Sequence, residues 1–263
     1  MKSESKIGVI GGGSWATAIV KMLCENVDSV NWWMRNEEVI EHINTYGHNP
    51  NYISDAELKK SKLNLSSNIN EIVKNSDYLV LAVPSAFLKS TLESLKIPLN
   101  NKIIISAIKG IVPENNTIVG EFIYNQYDVP YENITVITGP CHAEEVALER
   151  LSYLTIACSD IDKAEFFANS ISGRYIKTTV SDDIYGTEYS AVLKNVIALA
   201  SGICHGLGYG DNFQAVLVSN AIREIKRFVD EVHPIKRDIK ESAYLGDLLV
   251  TAYSQFSRNR PFG

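Results

Sequence analysis

An apolar strand followed at once by a glycine-rich turn and a helix limits what this chain can fold into. Residues 7–16 read IGVIGGGSWA, with the spacing GxGxxA. Gly11 permits a tight turn, Gly13 lets the backbone approach a pyrophosphate, and Ala16 allows close packing of helix on strand. The free N–H groups of the helix N-terminus then face the phosphates. A glycine turn without a ligand is the alternative, but the place of this turn in a strand–helix–strand unit favours dinucleotide binding.

Alternating strands and helices dominate the first two thirds of the chain. The strand candidates are residues 6–10, 30–34, 78–83, 102–106, 134–138, 153–157 and 175–180. Several are continuous apolar runs, which are typical of strands buried on both faces of a parallel sheet. Amphipathic segments such as 15–26 and 87–95 lie between them. The pattern predicts an α/β fold with a doubly wound, Rossmann-type, mostly parallel sheet.

The remainder of the chain reads as helices. The candidates are residues 182–203, 212–231 and 244–254, with a glycine-rich break at 202–210. We therefore predict two domains, a Rossmann domain at 1–182 that binds NAD(P) and an all-helical substrate and catalytic domain at 183–263.

Composition narrows the class of protein. The 263 residues are 45% hydrophobic and 21% charged, which excludes a disordered chain. A net charge of −6 speaks against nucleic-acid binding, which needs a basic surface. No apolar run approaches the roughly 18 residues of a membrane span, and no secretory signal precedes the first strand. Four scattered cysteines, Cys24, Cys141, Cys158 and Cys204, predict a reduced cytoplasmic protein without a metal site.

The end of the second strand bears on which dinucleotide binds. Residues 30–36 read VNWWMRN, so the acid that would hold the ribose of NAD is replaced by Arg35. A guanidinium there can pair with a 2′-phosphate. The sequence favours NADP, with NAD possible; an ordinary surface cation is the alternative for Arg35.

Two lysines occur in apolar surroundings. Lys109 follows the predicted strand at 102–106, at the sheet edge where ligands bind in such folds; a lysine that merely extends to solvent is the alternative. Lys194 lies inside an apolar helix, where burial would depress its pKa and suit it to proton transfer. A structural buried ion pair is the alternative, and Asp247 is an available partner.

A third cluster stands near the end of the chain. Ser257, Arg258 and Asn259 combine a guanidinium with neutral donors, a set that suits a phosphate dianion. Taken alone, such a cluster is more often solvated surface.

Taken together, these segments resemble the bacterial-type NAD(P)-dependent glycerol-3-phosphate dehydrogenases over residues 6–263. The motifs that carry the resemblance are GGGSW at 11–15, WMRN at 33–36, VPS at 83–85, SAIKGI at 106–111, GP at 139–140, AEEVA at 143–147, LKNV at 193–196, GDL at 246–248 and SRN at 257–259. The resemblance implies reversible reduction of dihydroxyacetone phosphate to sn-glycerol 3-phosphate, which feeds phospholipid synthesis. It also implies a homodimer.

The resemblance also implies roles for individual residues. Those expected at the cofactor are Gly11, Gly13, Ser14, Trp15, Arg35, Lys109, Ala143 and Arg258. Those expected at the triose phosphate are Lys109, Gly139, Cys141, Lys194, Asp247, Ser257, Arg258 and Asn259. Lys194 is the expected proton donor and acceptor, assisted by Lys109 and Asp247, and no metal takes part.

Three departures from the family pattern stand out. Cys141 occupies a position where many relatives carry serine, and a thiol is the poorer hydrogen-bond donor. Residues 218–221 read VSNA in place of a Thr-Arg-Gly run. Relatives also continue for several helices past residue 263, so the helical domain is expected to be shortened. Two alternatives remain. One is a related hydroxyacid or ketopantoate reductase, which also pairs a glycine-turn domain with a helical domain and a lysine; the other is a nucleotide-binding protein without catalysis, if the protein ends here.

Overall fold

A twisted sheet forms the body of the protein. The computed structural model describes residues 5–254 and 259–262, and within them one sheet has eight strands. They are β1 (Ile7–Ile10), β2 (Val30–Trp33), β3 (Leu63–Ser66), β4 (Tyr78–Leu81), β5 (Ile103–Ser106), β8 (Ile134–Thr138), β9 (Ser152–Cys158) and β10 (Ile176–Ser181). Their order across the sheet is β10-β9-β8-β5-β4-β1-β2-β3. A separate antiparallel pair is formed by β6 (Ile111–Val112) and β7 (Thr117–Ile118).

Helices connect these strands and cover both faces of the sheet. They are α1 (Ser14–Asn26), α2 (Glu37–Tyr46), α3 (Ile69–Lys74), α4 (Ser85–Leu92), α5 (Val119–Tyr127), α6 (Ala143–Ala147) and α7 (Ile161–Ile171), with 3₁₀ turns at Lys60–Lys62 and Tyr131–Asn133. One apolar cluster packs α1 and α7 on one face, and a second packs α3, α4 and α5 on the other. This two-sided burial explains why β1 and β4 are apolar at nearly every position.

The directions of the strands indicate which edge of the sheet can bind a ligand. β3, β2, β1, β4, β5 and β8 run parallel, whereas β9 pairs antiparallel with β8 and parallel with β10. The carboxyl ends of β1, β4, β5 and β8 therefore share one edge, where open α/β sheets bind ligands. The predicted mostly parallel, doubly wound fold is confirmed.

Helices alone follow β10 in the described residues. They are α8 (Ile184–Gly206), α9 (Asp211–Val232), a π-helical turn (Ser242–Gly246), α10 (Asp247–Tyr253) and α11 (Asn259–Phe262). Val218, Ile225 and Leu248 form part of a small core between α9 and α10. None of the helices in this or the earlier described part is both long and apolar enough to cross a membrane.

The edge strand β3 and the end of α8 are among the elements that differ from the sequence prediction. The edge strand β3 was not predicted, because two leucines alternate in it with an asparagine and a serine, which leaves no apolar run. The predicted glycine-rich break begins too early, since α8 continues to Gly206. The Ser201 hydroxyl donates to the Ala252 carbonyl at 3.0 Å, so this turn of α8 packs closely on α10 and stays helical.

A buried polar cluster fixes the start of α8. The carboxylate of Asp183, 2% exposed, accepts hydrogen bonds from the Gly186 N–H at 2.9 Å, from Arg237 Nε at 2.7 Å and from the Tyr244 hydroxyl at 2.6 Å. Burial raises the pKa of Asp183, but the bonds from Arg237 and Tyr244 outweigh it and hold that pKa below its usual value. The ionised carboxylate thus caps α8 and ties it to the turn that precedes α10.

Replacing Asp183 by alanine is expected to lower the free energy of unfolding by about 3–5 kcal/mol, because one partner of a buried ion pair is lost. Urea denaturation followed by circular dichroism measures the change. The matched control is Asp182→Ala at the exposed neighbouring position, which is expected to cost less than about 0.5 kcal/mol. Equal losses in the two variants would show that the cluster does not stabilise the fold.

Candidate active site

A cleft of about 540 Å³ opens at the carboxyl edge of the sheet, between the sheet and helices α8, α10 and α11. The turns after β1, β4, β5 and β8 contribute one wall, and α8, α10 and α11 the other. Its lining residues include Gly13, Ser14, Trp15, Pro84, Lys109, Cys141, His142, Ala143, Lys194, Asn195, Asp247, Thr251 and Asn259. Residues from both predicted domains thus meet around one space.

The glycine turn forms the floor at one end of the cleft. Gly11 has φ +137°, and a Cβ there would lie 2.4 Å from the Ala82 carbonyl oxygen, so only glycine fits. A Cβ at Gly13 would meet nothing within 4 Å, which leaves open space beside the backbone. Gly13 precedes the 13-residue helix α1, whose start has no side-chain cap. Unbonded N–H groups beside open space suit a pyrophosphate, so this cradle fits a dinucleotide.

Opposite the turn, one buried carboxylate joins two lysines. Lys194 Nζ lies 2.5 Å from Asp247 Oδ1, and Lys109 Nζ lies 3.2 Å from Asp247 Oδ2. Lys109 also donates to the Gly139 carbonyl oxygen at 3.2 Å. The Asp247 and Lys194 side chains are 2% and 7% exposed. Lys109 follows β5, Lys194 lies in α8 and Asp247 opens α10, so three separate elements build the triad.

The triad of Lys109, Lys194 and Asp247 combines two basic side chains with one carboxylate. Burial lowers the pKa of Lys194; Asp247 offsets part of that effect and Lys109 adds to it. Burial raises the pKa of Asp247, yet the two ammonium groups hold it below its usual value. With Asp247 ionised and both lysines protonated, the triad carries one excess positive charge. Such a site attracts an anionic ligand and can deliver a proton from Lys194.

Asn195 and Thr251 line the cleft and received no role from the sequence. Asn195 Nδ2 donates to the Lys109 carbonyl oxygen at 3.0 Å, and its Oδ1 accepts from Asn259 Nδ2 at 2.9 Å. Asn195 thus links α8, α11 and the segment after β5. Thr251 lies one turn after Asp247 in α10 and bonds back to its carbonyl at 2.6 Å. The i, i+4 spacing from Asp247 could have indicated Thr251, and the direct neighbourhood of Lys194 could have indicated Asn195.

The turn after β8 holds three further predicted residues. Gly139 has φ +109°, and a Cβ there would lie 2.7 Å from the Tyr153 carbonyl oxygen; it reaches the triad through its own carbonyl. Burial raises the pKa of Cys141 to about 12, so its side chain is a neutral thiol. Ala143 begins α6 and lines the cleft.

The remaining predicted residues fall in different places. Arg35 is exposed after β2 and does not line the cleft. Asn259 lines it, whereas Ser257 and Arg258 lie outside the described residues. In the described ranges, no group of three or more histidine, cysteine, aspartate or glutamate side chains is placed to hold a metal ion.

Comparison with known proteins identifies a family for this arrangement. A family model described as the NAD-dependent glycerol-3-phosphate dehydrogenase N-terminus matches residues 6–164, and its C-terminal counterpart matches residues 183–263. A glycerol-3-phosphate dehydrogenase (NAD(P)+) from Exiguobacterium is 36% identical over 97% of this chain and 75% of that relative. One from Clostridium botulinum is 34% identical over 98% and 78%.

Solved structures agree with the sequence matches. The glycerol-3-phosphate dehydrogenase of Plasmodium falciparum superposes with a TM-score of 0.87 at 26% identity, over 95% of this chain and 73% of that one. A D-mandelate dehydrogenase reaches a TM-score of 0.61 at 18% identity, over 96% and 80%, which shows a shared fold alone. Family models over nearly the whole chain and the sequence relatives confirm the resemblance found in the sequence, and the chain belongs to the family of NAD-dependent glycerol-3-phosphate dehydrogenases.

Proposed function

We propose that this protein interconverts dihydroxyacetone phosphate and sn-glycerol 3-phosphate with NADPH, and accepts NADH as a second cofactor. The observation that carries the proposal is the pairing of Lys109 and Lys194 on the buried Asp247 across one cleft from the glycine turn. The relatives' names support the reaction, and use of the product in phospholipid synthesis rests on the family resemblance alone.

The two predicted domains divide the work in this proposal. Residues 1–182 hold the dinucleotide at Gly11, Gly13, Ser14, Trp15, Arg35 and Ala143, and Lys109 touches both ligands. Residues 183–263 bring Lys194, Asp247 and Asn259 to the triose phosphate, with Gly139 and Cys141 at its border. The family resemblance alone assigns Ser257 and Arg258 to the same phosphate, and Arg258 to the cofactor as well. When bound, the reduced dinucleotide supplies a hydride to the ketone carbon.

Side chains of the protein then stabilise the negative charge that forms on the substrate. Negative charge develops on the carbonyl oxygen, and Lys194 protonates it while Lys109 adds positive charge nearby. Asp247 keeps both amines in place and remains ionised. Binding of the remote phosphate fixes the carbonyl relative to these groups, so that binding energy contributes to turnover as well as affinity.

Replacing Lys194 by methionine is expected to lower kcat for reduction of dihydroxyacetone phosphate by about 10²–10⁴-fold, the usual contribution of a positioned acid. Asp247 keeps Lys109 as a partner, so folding and NADPH binding should persist. Fluorescence titration with NADPH and steady-state absorbance at several substrate concentrations measure the two effects. Lys236→Met, at an exposed position, is the matched control. Near-normal turnover in Lys194→Met would remove this lysine from its role.

The rate should also depend on pH through Lys194. Reduction needs its protonated amine, so kcat falls as pH rises through a pKa that burial has lowered from the usual lysine value. Oxidation of glycerol 3-phosphate needs the neutral amine and should rise over the same pH range. A pH profile of kcat in both directions tests this. The two limbs should disappear in Lys194→Met; their persistence there would assign them to another group.

Arg35 is expected to set the cofactor preference, because a guanidinium beside the adenosine ribose pairs with a 2′-phosphate. Arg35→Ala should weaken NADPH binding about tenfold and leave NADH binding unchanged, since the loss of one charge-assisted bond acts on NADPH only. Dissociation constants for both dinucleotides decide the matter. Equal or tighter binding of NADH by the unaltered protein would contradict the assignment.

We further propose that two copies pair through an apolar helical face formed by Val196, Ile203, Leu207, Phe213 and Val216. Leu207 is 72% exposed and Val196 60%, and Val196 and Ile203 are two turns apart on one face of α8. Burying such a face in a dimer removes apolar surface from water. Light scattering should give a dimer for the unaltered protein and a monomer for Leu207→Glu with Val216→Glu. A monomeric unaltered protein would overturn the proposal.

The compartment in this proposal is the cytoplasm. Cys24, Cys141, Cys158 and Cys204 are all described and carry free thiols, which is the usual state of cysteines in a reducing compartment.

A further inference from the structure

Three consecutive carbonyl groups of the glycine turn are held from inside the protein. The Gly11 oxygen accepts from Trp32 Nε1 at 2.6 Å, and the Gly12 oxygen accepts from Asn49 Nδ2 at 3.2 Å. The Gly13 oxygen accepts from the Thr17 hydroxyl at 3.0 Å and from the Thr17 N–H at 2.9 Å. Each carbonyl of the turn therefore has a fixed direction before any ligand arrives.

The direction of these carbonyls fixes the direction of the N–H groups. In a trans peptide the C=O and the following N–H point to opposite sides. Holding the three oxygens inward therefore turns the N–H groups of Gly12, Gly13 and Ser14 outward. Gly13 and Ser14 line the cleft, and no backbone carbonyl in the described part of the chain accepts from these three N–H groups. Successive outward N–H groups form an anion-binding concavity.

Asn49 reaches the turn from a distant loop. Helix α2 ends at Gly47, which adopts φ +76°, and Asn49 comes two residues later. Between them lies His48, whose Nε2 is 3.1 Å from the Nε2 of His42. The Asn49 side chain is fully buried. Its Oδ1 accepts from the Asn51 N–H at 3.0 Å, which sets the orientation of the amide and leaves Nδ2 facing the turn.

Both protons of Asn49 Nδ2 are used there. One goes to the Gly12 oxygen, and the other to the Thr17 hydroxyl at 2.9 Å. The Thr17 hydroxyl in turn donates to the Gly13 oxygen. Asn49 thus holds one carbonyl directly and a second through Thr17, a chain in which each bond polarises the next. A side chain with two donors and one acceptor is needed at this point, and asparagine supplies them.

We propose that Asn49 is a positioning residue for cofactor binding, which orients the N–H groups of the glycine turn toward the pyrophosphate by holding the carbonyls of Gly12 and, through Thr17, of Gly13. The inference rests on the proposed function, because it needs a dinucleotide at this turn. It goes beyond the motif itself, since Asn49 lies more than thirty residues from the turn in sequence. Preorganising a binding loop gains affinity by removing the cost of ordering it.

The test separates cofactor affinity from catalysis. Asn49→Ala should raise the dissociation constant for NADPH about tenfold, the effect of losing a buried hydrogen bond and its relay. The kcat at saturating NADPH and the KM for dihydroxyacetone phosphate should stay within about twofold, because the triad is untouched. Asn51→Ala is the matched control: Asn51 is exposed and contributes only its backbone N–H, so its NADPH affinity should equal that of the unaltered protein.

A second variant guards against misfolding. Thr17→Val keeps the shape of the side chain but removes the hydroxyl relay, so it should weaken NADPH binding several-fold. Because the buried Asn49 Nδ2 then lacks one acceptor, the melting temperature should fall by several degrees while the protein stays folded at the assay temperature. Fluorescence titration gives the affinities without turnover, and thermal melts check the fold of every variant. If Asn49→Ala does not fold, Thr17→Val decides.

The outcomes are distinguishable. If the unaltered protein and Asn51→Ala bind no NADPH, the proposed function fails. If the unaltered protein and Asn51→Ala bind NADPH, and Asn49→Ala and Thr17→Val bind it as tightly as the unaltered protein does, only the positioning role is overturned. A loss of kcat at saturating cofactor as large as the loss of affinity would also overturn it, because that pattern marks general disruption of the fold.

Discussion

A single buried carboxylate connects the two parts of this molecule. Asp247 lies between Lys109, which follows strand β5, and Lys194, which lies in helix α8. The Lys194 and Asp247 side chains are almost fully buried, and burying such charges is costly unless they are paired. The geometry of the cleft depends on this arrangement, because Asp247 offsets part of the fall in the pKa of Lys194 that burial causes and holds the partly exposed Lys109 beside it. The excess cation that results is what the chemistry of a reducible carbonyl requires.

The glycine turn imposes the complementary constraint. Its backbone must approach the ligand, so side chains are excluded at Gly11 by the Ala82 carbonyl, and its polar groups must face one way. Hydrogen bonds from Trp32 and Asn49 meet that need from the interior side. The cleft therefore combines the backbone donors of the glycine turn with paired charges, and the ion pair between Lys109 and Asp247 joins its two walls.

Local patterns in the sequence predict features that lie within one helix, strand or turn, but they do not predict contacts between distant elements. The turn after β1 and the burial of Lys194 could be predicted, because each depends on residues within one element. The meeting of Lys109 with the same carboxylate depends on how α10 packs on the sheet, so local patterns could not predict it and only the family resemblance implied a shared role for the three residues. Asn49 lies in a polar loop without periodicity, and β3 is too polar to predict as a strand, so both required the three-dimensional structure. Arg35 could be assigned a role from its position, with an ordinary surface cation as the alternative, and the structure shows it exposed.

The reversal of the last two strands has a consequence for how the chain can vary. Because β9 and β10 run against the other six strands, the chain leaves the sheet heading away from the cleft, and α8 must return. Ile184 packs beside Val136 and Ala157 in the body of the sheet, and Lys194 lies ten residues later, about 15 Å along the helix. One residue inserted or deleted in that stretch would swing the amine by roughly 100° around the helix axis. The number of residues between Ile184 and Lys194 therefore fixes where the amine lies, so substitutions in this stretch of α8 are tolerated more readily than insertions or deletions.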